Sequence, residues 1–376
     1  MRISKKTNQT RICPQSPLQW NHYKSSKPSR LRHTKLIYCR KVKVLPEQSA
    51  PTIYGGQAVI EGVMFGGKYV NVTAVRRKTG EISFLEVPKE DKDWVKRLRK
   101  VPLIRGIVSI VDSSAKGSKH LNYSAEAMAD DEMEPEERAK QKEKEESGFS
   151  LTMLLGVAVV GVLSFIVGKL IFTVVPALLE QYLFQHAFAS QTLHTLIEGV
   201  IKIILLLGYL FLMSQTPVIK RLFQYHGAEH KVISAYEAGE ELTPANVQKY
   251  SRLHYRCGSS FIILTVIVGV IIYSLPIFSW DSIWERVYIR VLLLPLVIGL
   301  SFEMLRFTNA VRDIPVLRFL GYPGLWLQLL TTKEPSDDQV EVSIASFNRM
   351  RELDAQLEQV GVIETPVGTS LDPLKG

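Results

Sequence analysis

The apolar residues of this chain are gathered into blocks rather than spread along it. Four runs, at about residues 150–179, 193–213, 261–278 and 287–307, have the continuity of membrane-crossing helices. About 20 apolar residues at 1.5 Å rise cover the ~30 Å hydrocarbon core of a bilayer. One such run reads equally well as a buried core helix, but four in a single chain predict an α-helical integral membrane protein. Upstream, the period falls to two. Residues 70–77 and 82–87 alternate around the turn Lys78-Thr-Gly-Glu81, which predicts a hairpin within a small antiparallel sheet, opened by Gly55-Gly56. Helical patterns follow at 91–100 and from Ile104 to about Ser118, and the Glu- and Lys-rich run 128–146 reads as a solvated linker or helix.

The resulting organisation has four parts. Residues 1–50 form a basic arm and 51–147 a small α+β amino-terminal cytoplasmic domain with its charged linker. Residues 148–309 form a four-helix membrane domain with a polar loop at 214–258. In 310–376, the segment 316–330 is expected to lie along the interface, followed by a helix with apolar residues at Val340, Ile344, Phe347 and Leu353. That helix starts at Pro335-Ser336-Asp337-Asp338 and is expected to dock on the amino-terminal domain.

Charge orients these parts. The loops 180–191 and 279–285 contain neither Lys nor Arg, whereas Lys220, Arg221, Lys231, Lys249, Arg252 and Arg256 lie between the second and third runs. The positive-inside rule then places both termini and the polar loop on the cytoplasmic side, or the stromal side of a plastid membrane. The net charge of +9 does not point to nucleic acid, because much of it sits in the arm, where Glu47 is the only acid. That arm resembles a transit peptide; a basic segment lying on anionic lipid and an upstream-assigned start remain open. Cys257 is the one cysteine outside the arm, which excludes a disulfide framework for the body. No glycine spacing suits a Walker or dinucleotide loop.

The polar loop carries the chemistry. His226-Gly-Ala-Glu-His230 has the H-x-x-E-H order in which two imidazoles four apart share a helix face and Glu229 stands ready to activate water. His254 and Cys257 supply further donors, and an imidazole and thiolate set favours a divalent, borderline-soft metal such as zinc. Interfacial hydrogen bonding by the same side chains is the alternative. Glu303, near the inner end of the last run, is a candidate ligand or general base, set against an ion pair with Arg306 or another interfacial cation. Glu198 and Lys202 are expected to pair within one helix, and Lys169 to reach a neighbouring carboxylate or water.

The strings Tyr54-Gly-Gly-Gln-Ala-Val-Ile-Glu-Gly-Val-Met64, Pro102-Leu-Ile-Arg-Gly106, Tyr225-His-Gly-Ala-Glu-His-Lys231, His254-Tyr-Arg-Cys-Gly258 and Leu327-Gln-Leu-Leu-Thr-Thr-Lys-Glu-Pro335 resemble the YqhQ-like family of bacterial and plastid membrane proteins, a family of unknown function. The resemblance runs from about Thr52 to Phe347, and Tyr255 stands where proline is usual. It implies metal dependence without naming a reaction, and it raises Glu61 and Arg105 to site candidates, expected to face one another. Two functions follow as expectations. One is a hydrolase-like enzyme acting at the inner face of a bacterial plasma membrane or plastid membrane, with lipid-, isoprenoid- or peptide-derived substrates. The other is a non-enzymatic membrane protein acting with other membrane proteins in insertion, assembly or quality control.

Overall fold

The computed structural model describes residues 54–89, 93–132 and 151–364. The basic arm, most of the charged linker and the last residues lie outside this set, as does the Lys169 side chain. Four strands, β1 (Gly55–Val59), β2 (Gly62–Gly66), β3 (Val70–Arg76) and β4 (Ile82–Pro88), form an antiparallel sheet in sequence order. The expected β3–β4 hairpin is present, its turn closed by Gly80 at φ 89°. The β1–β2 hairpin turns at Ile60-Glu61, with Glu61 at φ 51°, a left-handed conformation that a side chain rarely adopts. Its glycines hide the alternation that would have announced it.

The helices are α1 (Asp93–Leu98), α2 (Ile104–Glu132), α3 (Leu151–Phe184), α4 (Gln191–Met213), α5 (Pro217–Glu237), α6 (Pro244–Val247), α7 (Ser260–Tyr273), α8 (Ile283–Ala310), α9 (Tyr322–Thr331) and α10 (Asp337–Glu364). The helix expected to end near Ser118 continues to Glu132. Period-two side chains sort to the two faces of the sheet. Val63, Phe65, Val70, Val72 and Ala74 pack against Val340, Phe347 and Met350 of α10 and Tyr225, Ala228 and Val232 of α5. Phe347 is the hub, edge-on to Phe65 at 5.0 Å, Tyr54 at 5.2 Å and Tyr236 at 5.0 Å. Ser346 donates to the carbonyls of Val63 and Val72 at 2.9 and 3.1 Å, and Asp354 accepts from the amides of Tyr69 and Val70 at 2.8 and 3.2 Å. The carboxy-terminal helix is thus built into the sheet domain, as expected. The opposite face, Val59 and Val75, meets Tyr123 and Ala127 of α2, where buried His120 lies 2.6 Å from the Thr73 hydroxyl.

Among the described residues two helices, α4 and α8, are long and apolar enough to cross a membrane, where four were expected. The run at 261–278 shortens to the 14-residue α7, which ends at Tyr273 with Ser274 as its cap and Pro276 two residues beyond. Fourteen residues span about 21 Å, less than the ~30 Å apolar core. In α3 the apolar run among described side chains covers Ile171–Phe184. Only 11% of the apolar window of α4 and 22% of that of α8 is buried, the opposite of a soluble core helix.

These helices are joined by charge. Glu198 of α4 takes Arg286 and Arg290 of α8 as partners across the helix interface, which helical spacing alone did not announce. Arg286 also meets Glu180 of α3 at 2.7 Å, and His194 meets Glu180 as well. Arg286 lies 4.9 Å from the ring centre of Trp280, and Arg290 lies 5.4 Å from that of Tyr273.

Candidate metal centre

Helix α5 starts with Thr216 as N-cap and Pro217 in the first position, where a missing N–H costs nothing, and stops before Gly239 at φ 78°. Within it His226, Glu229 and His230 fall on one face. The loop leading to α7 returns to that face, so the ligand atoms of His226, His230 and Cys257 all lie within 4.8 Å of one another.

Backbone carbonyls orient both imidazoles. His226 donates Nδ1–H to Thr331 O at 2.8 Å, and His230 donates Nδ1–H to Arg252 O at 2.6 Å. A carbonyl only accepts, so each ring keeps its proton on Nδ1 and leaves Nε2 as a donor atom for a metal, the usual supporting arrangement of metal-binding histidines. His226 Nε2 stands 3.2 Å from Cys257 Sγ. An ion bound tetrahedrally at ~2.0 Å from nitrogen and ~2.3 Å from sulfur separates those atoms by about 3.5 Å. The donor types, the tautomers and the His226–Cys257 spacing therefore fit a zinc-like divalent ion.

The carboxy-terminal segment holds this geometry. Fully buried Gln328 of α9 accepts from the His254 amide and donates to the His254 carbonyl, both at 2.8 Å, and donates to Ser260 at 2.9 Å. Arg252 donates to Thr332 Oγ1 at 2.8 Å, and the amide of Lys333 donates to Phe223 O at 2.8 Å. Gly227 is required where the chain at Lys333 crosses α5, because a Cβ there would collide with its carbonyl. The segment expected at the interface thus braces the loop that carries His254 and Cys257. Gln328 lies in a motif visible in the sequence, but nothing in its residue type announced this role.

Glu229 is buried beside β1 and accepts the amide N–H of Gly56. Burial pushes its carboxyl up to about 7, partly opposed by His226 and the Gly56 N–H. His254 stands beside the donors, its ring centre 5.7 Å from that of His230, and is not one of the clustered ligands. Its Nδ1 accepts from the Arg256 amide at 3.4 Å, and Nε2 faces Glu237 at 3.8 Å. Burial and the adjacent His230 and Arg256 hold it well below the usual imidazole range, hence neutral. These groups line a cavity of about 340 Å³ between β1 and α5.

The remaining candidates lie apart from the donors. Glu303 does not line this cavity; it pairs with Arg105 and accepts from the Leu103 amide at 3.3 Å, fastening the start of α2 to α8. Glu61 and Arg105 do not meet, contrary to expectation. Glu61 pairs with Arg221 and accepts from the Tyr225 hydroxyl at 3.3 Å, tying the β1–β2 turn to α5 one turn before His226. Both pairings join elements far apart in sequence, beyond the reach of local spacing.

A helical protein with a small antiparallel sheet, two helices of membrane-crossing length and a His/His/Cys cluster between sheet and helices is the class so defined. The chain belongs to the family described as a protein of unknown function, DUF1385, whose model matches residues 101–353. It is similar to the uncharacterized protein YqhQ of Bacillus subtilis (strain 168), with 53% identity over 315 residues, 84% of this chain and 97% of that relative. No solved structure matches it.

Proposed function

We propose that the protein is a metal-dependent hydrolase anchored in a membrane by α4 and α8, with its site on the cytoplasmic or stromal side. The observation that carries this reading is the combination of three clustered donors with a buried carboxylate alongside. A structural zinc site is closed by four protein ligands, whereas a catalytic one keeps a position for water or substrate. With His254 engaged elsewhere, His226, His230 and Cys257 make a three-ligand set of the second kind.

A divalent ion held there supplies Lewis acidity toward a substrate carbonyl or phosphoryl oxygen. Glu229, with its carboxyl near neutrality, accepts a proton from the attacking water and returns it to the leaving group. The Gly56 N–H keeps that carboxylate aimed into the cavity. The Lys and Arg of 214–258, against their absence from 180–191 and 279–285, support the inner-side placement.

The test is metal content by mass spectrometry on detergent-purified protein. Near-stoichiometric zinc is expected in the wild type and in Glu229→Gln, with loss in His226→Ala and His230→Ala. A wild-type protein that stays folded and metal-free under metal-replete purification overturns the reading. The 3.2 Å approach of His226 to Cys257 favours one other reading, a thiol nucleophile activated by imidazole. Activity that survives chelation but not Cys257→Ser would assign the site to that chemistry.

A further inference from the structure

We propose that the outer edge of β1 is a docking strand for an extended polypeptide substrate, which runs past Glu229 as an added fifth strand. The assignment of cleavage rests on the hydrolase reading above; the binding does not.

β1 ends the sheet, paired on one side only with β2. The two-residue turn makes Val59 and Gly62 the closing hydrogen-bonded pair, so Gln57 and Gly55 also bond inward to β2. Gly56 and Ala58 therefore direct their N–H and C=O groups outward. Glu229 takes the Gly56 N–H, and Ser124 Oγ accepts the Ile60 N–H at 3.2 Å. Among the described residues nothing bonds the Gly56 carbonyl or the Ala58 amide and carbonyl, so the middle of the edge keeps a donor and acceptors at strand spacing. Native sheets usually cover or blunt such an edge. Here Gly55 and Gly56 are exposed and carry no side chain to block an approaching backbone.

Two cavities flank this edge and share Gly55, Gly56 and Gln57. The first, of about 340 Å³, holds the metal donors together with Phe223 and Ile233 of α5. The second, of about 320 Å³, is walled by Asp112, Ser113 and Lys116 of α2. Successive side chains of a strand point to opposite faces, so a chain laid along β1 places alternate side chains in the two cavities. Its backbone lies ~4.8 Å from β1, and Glu229 is already within hydrogen-bond reach of that edge. A peptide bond of the docked chain therefore lies beside the carboxylate. A lipid or isoprenoid chain has no repeating amides with which to use these groups.

The experiment uses the full-length protein in detergent as Glu229→Gln, so that the probe is not consumed, with zinc content measured on the same sample. The probe is fluorescein-labelled, reduced and carboxymethylated α-lactalbumin, an unfolded chain, with native α-lactalbumin as control. Saturable binding of the unfolded form is expected, at least tenfold weaker when Ala58→Pro removes the outward N–H at a position where an edge strand tolerates proline. Hydrogen exchange in the unsubstituted Ala58 protein reads the same contact without relying on the variant to fold: the Ala58 amide should slow when probe is added. Equal binding of both probe forms, no binding, or no protection at Ala58 overturns the proposal. Zinc content separates this from the metal reading, since bound zinc without an edge-dependent probe leaves the hydrolase standing and removes only the polypeptide.

Discussion

His230 donates its Nδ1–H to the carbonyl of Arg252 at 2.6 Å, and the guanidinium of the same Arg252 is fixed to Thr332. One of the candidate ligands is therefore oriented by a loop that the carboxy-terminal segment holds in place, and the site depends on residues about a hundred positions downstream of it.

Gln328→Ala should weaken zinc binding by about 10- to 100-fold, the usual effect of removing support behind a ligand, while leaving the protein folded. Competition with a zinc chelator at fixed pH checks this. Unchanged affinity would show that His254 and its loop need no clamp.

The Glu180–Arg286–Glu198–Arg290 network is expected to be strongly stabilising only while complete. Glu198→Ala leaves two buried guanidinium groups short of a carboxylate and should cost about 3–5 kcal/mol. Replacing Glu198 and Arg290 together with Met should cost less than the single change. Thermal unfolding in detergent distinguishes the two outcomes.

Phe347→Ala should destabilise the sheet domain by about 3–5 kcal/mol through the cavity it opens among Tyr54, Phe65 and Tyr236. Detergent-solubilised protein should then show increased proteolysis within the described sheet and α10 before α4 and α8 are cleaved.

Burial and neighbouring Lys119 lower the pKa of His120 in the folded state. The unfolded chain then takes up the proton more readily, so stability is full above the ordinary imidazole pKa of ~6.5. It falls as pH drops through that value toward the folded one. His120→Gln should remove this part of the acid dependence, and unfolding followed between pH 7.5 and 5 in both proteins measures it.

If α4 and α8 both cross toward the side of the site, with the apolar stretch 259–278 carrying the chain back between them, Asp281→Cys should react with an impermeant maleimide from the outer side and Glu240→Cys only after permeabilisation. Labelling of both from the same side would refute the topology.

Much of this protein was legible in its sequence because local geometry writes period into residue type. The β3–β4 hairpin and the shared helical face of His226, Glu229 and His230 followed from spacing of two, three or four, and α4 and α8 from the length of their apolar runs. Those periods come from the backbone itself and need no knowledge of the rest of the chain. The tertiary structure alone decided which charge met which. Glu198 meets Arg286 and Arg290, Glu61 meets Arg221, and Glu303 meets Arg105, because packing brings together groups that lie far apart in sequence. It also set the length of α7 and the edge position of β1, whose glycines give no alternation to read. Finally, it chose the groups that orient the two histidines. Those are the carbonyls of Thr331 and Arg252, and a backbone carbonyl is the same atom in every residue, so no sequence pattern distinguishes the one that will accept the bond.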